Sequence, residues 1–124
     1  MWFYDIEHGR EIERIADSHR RECFSMKCAQ DGQSFVTGGV YGDVFIWDWA
    51  TRRIRSRISV AIDQRKTPIA VSAEGTLIFA CQMGPFTHDQ FPSVQVWSSD
   101  ASRPTADLGK VFWGSHVLPC SPNG

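Results

Sequence analysis

Apolar residues in this chain come in short bursts closed by turn residues, with no long helical stripe. Ser34-Phe35-Val36-Thr37-Gly38 and Val44-Phe45-Ile46-Trp47 are rich in β-branched and aromatic residues, the composition of strands. Arg53-Ile54-Arg55-Ser56-Arg57-Ile58 alternates residue by residue, which predicts a strand with one apolar and one cationic face. Residues 23–29 read as a further strand. Asp31-Gly32, Val40-Tyr41-Gly42 and Ala50-Thr51 turn the chain between these segments. Four strands on short connections predict an antiparallel meander. The same order recurs over 67–72, 76–81 and 94–97, with a weaker fourth strand inside 104–109. Ahead of both, 2–5 and 11–15 read as a third and a fourth strand, and 111–120 holds one more first strand. The 11–15 stretch has helical propensity, but its register matches Arg53 to Ile58.

These units repeat. Trp2-Phe3-Tyr4-Asp5, Val44-Phe45-Ile46-Trp47-Asp48 and Val94-Gln95-Val96-Trp97-Ser98 are related tails, and Asp31-Gly32, Glu74-Gly75 and Asn123-Gly124 are related turns. Tyr4 to Trp47 and Gly32 to Gly75 are both 43 positions, while Trp47 to Trp97 is 50 and Gly75 to Gly124 is 49. A period in the low forties, stretched once by an insertion, is the mark of a β-repeat array. Stacked repeats bury their faces only against neighbours. The chain is therefore expected to be a piece of a longer array and a poor autonomous domain, with a function held on a partner surface before a catalytic pocket.

Ser18-His19, Asp31-Gly32, Phe35-Val36-Thr37-Gly38-Gly39 and Gly42-Asp43-Val44-Phe45-Ile46-Trp47-Asp48 closely resemble a unit of the WD-repeat β-propeller family. The resemblance covers essentially the whole chain. It implies an all-β fold of four-stranded antiparallel meander blades, incomplete in this chain. Residues 1–16 would be the outer half of one blade, 23–58 and 67–109 whole blades, and 111–124 the inner strand of the next. The structural repeat positions would be His19, Gly32, Thr37, Trp47, Asp48, Gly75 and Trp97. Family units tie a His, a Ser or Thr, a Trp and an Asp into a buried hydrogen-bond set. Here His19, Thr37 and Trp47 match, but Tyr41 replaces the Asp. In the following unit Trp97 remains while Ile62 and Ala80 stand for His and Thr. The resemblance thus implies a partial set in the first full blade and none in the second.

Composition narrows the function classes. The chain is 42% hydrophobic and 22% charged, as a globular protein is. A net charge of −1 gives no global electrostatic case for nucleic acid or membranes. No apolar run approaches the roughly 18 residues of a membrane span. No leader pattern opens the sequence. The 4 cysteines lack paired spacing, which fits a reducing compartment. A cytoplasmic location is expected, with the nucleus as the other intracellular possibility.

Candidate chemistry is sparse. Cys23, Cys28 and His19 suggest zinc, but an odd separation on one strand points the thiols to opposite faces, and zinc sites show short paired spacings. Cys28 and Cys120 also fall at matching repeat positions where apolar residues are usual, so buried apolar cysteine is the expectation. His88-Asp89 has the residue types of a base with its orienting acid, without a recognisable nucleophile, and loop polarity explains it. Gly38-Gly39 lies in a strand, so it is no phosphate cradle. Arg52, Arg53, Arg55 and Arg57, followed by Arg65 and Lys66, could grip phosphate, though charge on an outermost strand also protects an edge from pairing. No cofactor, metal site or catalytic residue is expected.

The insertion Met83-Gly84-Pro85-Phe86-Thr87-His88-Asp89-Gln90-Phe91-Pro92 interrupts the period. Loops carry binding residues more often than the elements they join, although Phe86 and Phe91 would equally serve to fold the loop onto its own blade. In the family, loops between second and third strands share a face with loops after the fourth strand. The resemblance therefore implies a non-enzymatic scaffold presenting Phe86, His88 and Phe91, beside Arg65, Lys66, Arg20 and Arg21, to a protein or peptide partner. The alternatives are a regulatory or targeting propeller within a larger enzyme, cytoskeletal or ciliary protein, and a phosphate- or phosphoinositide-binding propeller.

Overall fold

The computed structural model describes residues 1–16, 19, 22–60, 69–82, 93–100 and 103–110. Among the described residues ten strands form in chain order: β1 (Trp2–Asp5), β2 (Arg10–Arg14), β3 (Cys23–Cys28), β4 (Ser34–Gly39), β5 (Asp43–Asp48), β6 (Ile54–Ser59), β7 (Ile69–Val71), β8 (Leu77–Gln82), β9 (Ser93–Ser98) and β10 (Ala106–Lys110). They make a two-stranded sheet, β1-β2, and two four-stranded sheets, β3-β4-β5-β6 and β7-β8-β9-β10. Every pairing is antiparallel and joins strands consecutive in sequence. No helix lies among the described residues. The strand expected in 111–120 falls outside them.

The turns show why these residues were needed. Gly32, Gly42 and Gly75 close the β3–β4, β4–β5 and β7–β8 connections with φ of 67°, 76° and 70°, a region a side chain resists. After β5, the Asp48 carboxylate accepts hydrogen bonds from the Thr51 N–H and hydroxyl, each 2.7 Å. The chain then returns through Arg52 at φ 57°.

Two apolar clusters hold the sheets together. Val36, Val44, Ile46 and Ile58 of the first four-stranded sheet pack with Ile69, Val71, Ile78, Ala80 and Trp97 of the second. On the opposite face, Phe35, Phe45 and Trp47 meet Met1, Phe3, Ile15 and Ile54. The middle sheet is thus packed on both sides, which is why β4 is buried throughout.

The outer strand β6 departs from the expected single apolar face. Ser56 lies opposite Ile46 and Ile54 opposite Trp47, so the register shifts and Arg55 falls in the gap. This bulge carries Ile54 to the Trp47 cluster while Ile58 stays in the cluster between the four-stranded sheets. The cysteines correct a second expectation. Cys23 and Cys28 are exposed free thiols, because β3 ends its sheet with one neighbour and most of its side chains remain uncovered.

Candidate interaction surface

The first four-stranded sheet builds a polar set inside its apolar wall. Trp47 Nε1 donates to Thr37 Oγ1 at 2.8 Å, and His19 Nε2 lies 2.8 Å from the same oxygen. The indole can only donate, so the Thr37 hydroxyl keeps one hydrogen, and His19 Nε2 is an acceptor in reach. The imidazole also stacks on Phe45, with ring centres 4.3 Å apart and planes 7° apart. Burial lowers the His19 pKa, Asp43 partly opposes this, and the N-terminal charge adds to the lowering. The neutral ring that the hydroxyl contact asks for is therefore the favoured form. His19 Nδ1 is buried with no partner among the described residues, while Tyr41, at the acid's position in the repeat, is half-buried.

Among the described residues the second sheet shows no such set. Ala80 lies opposite Gln95 as Thr37 lies opposite Phe45. Trp97 is 4% exposed, yet its Nε1 has no partner among the described residues. A methyl where the first sheet has a hydroxyl accounts for that orphaned donor.

The cationic run divides. Arg52 Nε donates to Glu13 Oε2 at 2.8 Å, and Arg53 Nη1 to Glu13 Oε1 at 2.6 Å. Hydrogen bonds from Arg52 and Arg53 hold the Glu13 carboxyl below its ordinary range. Arg57 stands over the Phe45 ring at 5.3 Å. Arg55 and Arg57 remain exposed. Two members of the run therefore bind the β1–β2 hairpin to the next sheet. An exposed group also gathers at the β1–β2 turn, where Asp5, Glu7 and His8 have ligand atoms within 4.8 Å of one another. Its contacts are internal: His8 Nδ1 lies 2.7 Å from Asp5 Oδ2, and Arg10 Nε lies 3.4 Å from it.

Phe86, His88, Phe91, Arg65, Lys66, Arg20 and Arg21 lie outside the described residues, but the strands that carry their loops are described. Gln82 and Ser93 face each other at the roots of the 83–92 loop. Ile69, where the chain returns after 61–68, is opposite Ala80, near that same end of its sheet. In the preceding sheet, Ser59 faces Asp43 and Cys23 faces Gly39, both beside the β4–β5 turn. The roots of the 17–22, 61–68 and 83–92 connections thus share one end of the two sheets.

Aromatic surface elsewhere escaped the sequence reading. Trp2 and Tyr4 stack at 6.1 Å with planes 22° apart, and Arg14 stands 4.7 Å above the Trp2 ring. Trp2 and Tyr4 are each 52% exposed. With Met1, Phe3, Ile12, Met26, Trp49 and Arg52 they line a groove of about 270 Å³. The tail motif Trp2-Phe3-Tyr4-Asp5 signalled a strand without showing that its outer ring face would be uncovered.

No protein-family model and no curated protein matches the chain. Solved structures do. A chain of the mitotic checkpoint complex superposes with a TM-score of 0.63 at 15% identity, over 86% of this chain and 31% of that one. The tricorn protease gives 0.56 at 13%, over 77% and 9%. The Cps50 (Swd1) β-propeller domain of Myceliophteria thermophila gives 0.52 at 15%, over 70% and 26%. This chain spans under a third of each of these structures. At such identities the likeness concerns fold, and it agrees with the packing of two four-stranded antiparallel sheets on each other seen here. The chain folds as β-propeller blades.

Proposed function

We propose that this chain is a non-enzymatic scaffold that presents loops from one end of its blades to a protein or peptide partner. The observation that carries the reading is the common location of three connection roots at one end of the two packed sheets. The shared apolar cluster fixes those sheets relative to each other, so the loop roots are held at set separations. Phe86, His88 and Phe91 are the proposed contacts, with Arg65 and Lys66 as their polar rim and Arg20 and Arg21 as further partner-binding residues. The phosphate-binding reading is less favoured, because Arg52 and Arg53 both serve Glu13.

The test replaces 83–92 with a Gly-Asn turn in the longest natural form of the protein. The strand pair on either side should accept a tight turn, so thermal stability should change little. Affinity purification of both forms should show at least one partner lost from the variant. A large drop in melting temperature instead would place Phe86 and Phe91 in the blade's own core.

A further inference from the structure

The surroundings of the His19 imidazole suit only its uncharged form. Nε2 lies 2.8 Å from Thr37 Oγ1, an oxygen that already accepts the Trp47 indole hydrogen. The hydroxyl hydrogen therefore goes to Nε2, and the ring's own proton sits on Nδ1. That atom is buried with no partner among the described residues. The ring lies close on the Gly39 backbone, where a Cβ would come within 2.7 Å of Nδ1. A second proton would turn Nε2 from acceptor to donor and put a charge into the same enclosure. Among the described residues, little offsets that charge. Burial is the largest influence and disfavours it, Asp43 of β5 partly opposes this, and the N-terminal ammonium adds to it. Arg57 of β6 sets a cation 5.3 Å from the Phe45 ring on which His19 stacks. On β3, Cys23 stands opposite Gly39, and burial pushes its thiol up, so it offers no thiolate near neutral pH. Tyr41 stands where the resembled repeat unit has an acid.

We propose that His19 is an acid-sensitive latch on the first four-stranded sheet: uncharged, it is seated on Gly39, Phe45 and Thr37, and on protonation the imidazole leaves that seat. The replaced acid is what makes the latch responsive, because a carboxylate at position 41 would hold the imidazolium in place. The free ring titrates at its ordinary 6.5 and the seated ring below it. Seating is therefore strongest above 6.5, weakens as pH falls through that value, and levels off only below the lowered one. Within that window each pH unit multiplies the ratio of released to seated ring about tenfold. The latch belongs to this chain alone and does not depend on a partner at the loop-bearing end.

The test uses the longest natural form of the protein from about pH 5 to 8. Hydrogen exchange at His19 Cε1, followed by mass spectrometry, reads the titration midpoint of that one ring. Hydroxyl-radical oxidation of Phe45, which is buried and stacked against the imidazole, reads whether the ring has left. The midpoint should lie below 6.5, and Phe45 oxidation should rise on the acid side with the same midpoint. Tyr41→Asp should carry the midpoint above 6.5 and keep Phe45 covered in acid. Gly39→Ala puts a methyl group into the seat. It should return the midpoint to about 6.5 and leave Phe45 open to oxidation at every pH. A midpoint at or above 6.5 in the unaltered protein would overturn the proposal, whatever the variants do. So would Phe45 oxidation that stays constant while His19 titrates, because the charged ring would then still be seated.

Discussion

Trp47 concentrates most of the bonding types available to a buried side chain. Its ring lies parallel to Phe35 at 5.5 Å, meets Phe45 edge-on at 6.3 Å, and gives its hydrogen to Thr37. It is completely buried. Trp47→Ala is expected to cost about 3–5 kcal/mol, the range for large aromatic truncations. Arg55→Ala, at an exposed position, should stay within about 0.5 kcal/mol. Urea titrations of both variants check the pair, and equal losses would contradict the burial difference. At this scale the sequence was readable where a residue falls on a position that the resembled repeat unit defines. His19 and Thr37 were marked by the resemblance of their stretch to a WD-repeat unit, and so was the missing hydroxyl at Ala80. Cys23 and Cys28 were misread because residue type alone does not decide burial. A thiol is enclosed only if something packs on its strand, and β3 has a neighbour on one side.

Among elements, the β1–β2 hairpin depends on a contact that no local pattern announces. Glu13 reaches the turn after β5, 39 and 40 positions away, and takes hydrogen bonds from Arg52 and Arg53. Arg52 makes its bond from a left-handed backbone at φ 57°, where a non-glycine residue is uncommon. The Glu13 carboxyl titrates below its ordinary value of 4.5 because those two guanidinium groups bond its charged form. Its stabilising effect is thus complete above 4.5 and is lost as pH falls through the lowered folded value. Glu13→Gln should flatten the acid limb of stability measured by denaturant titration at successive pH values. Unchanged acid sensitivity would assign it to other carboxylates. Strand existence was legible from alternation and turn residues, whereas the β6 register was not. A bulge leaves every letter in place and changes only which partner each letter faces.

Over the whole molecule, recurrence in the sequence reported the repeat but not how consecutive units meet. The Gln30 and Asp31 amides both donate to the Ala73 carbonyl, at 3.0 and 3.2 Å, joining equivalent turns of adjacent sheets. Gly75 sits in the second of these turns. A Cβ there would overlap Ser34 Oγ and lie 3.3 Å from the Ala29 Cβ, on top of the strain of φ +70°. Gly32 has a similar φ of +67° but open space around it. Gly32→Ala should cost about 1–2 kcal/mol for the left-handed backbone alone, and Gly75→Ala distinctly more. Chemical denaturation of both decides it, and equal losses would mean the turn does not bear on its neighbour. The period revealed the two glycines as equivalents, while the three-dimensional fold makes one of them a joint.

The bulge in β6 has a consequence for how this architecture tolerates change in length. One strand closes two separate interiors, sending Ile58 into one and Ile54 into the other. At this spacing only the bulge at Arg55 permits this division of duty. Because Ile54 and Ile58 are four positions apart, a regular strand would turn both toward the same interior and set Arg55 opposite Trp47, leaving a hollow beside the ring with no lost hydrophobic residue to explain it. A surface arginine that can be exchanged for alanine at little cost is, in this sense, a spacer: deleting it would bring Ile54 next to Ser56 and still opposite Trp47, so the strand can lose one residue here without emptying either interior.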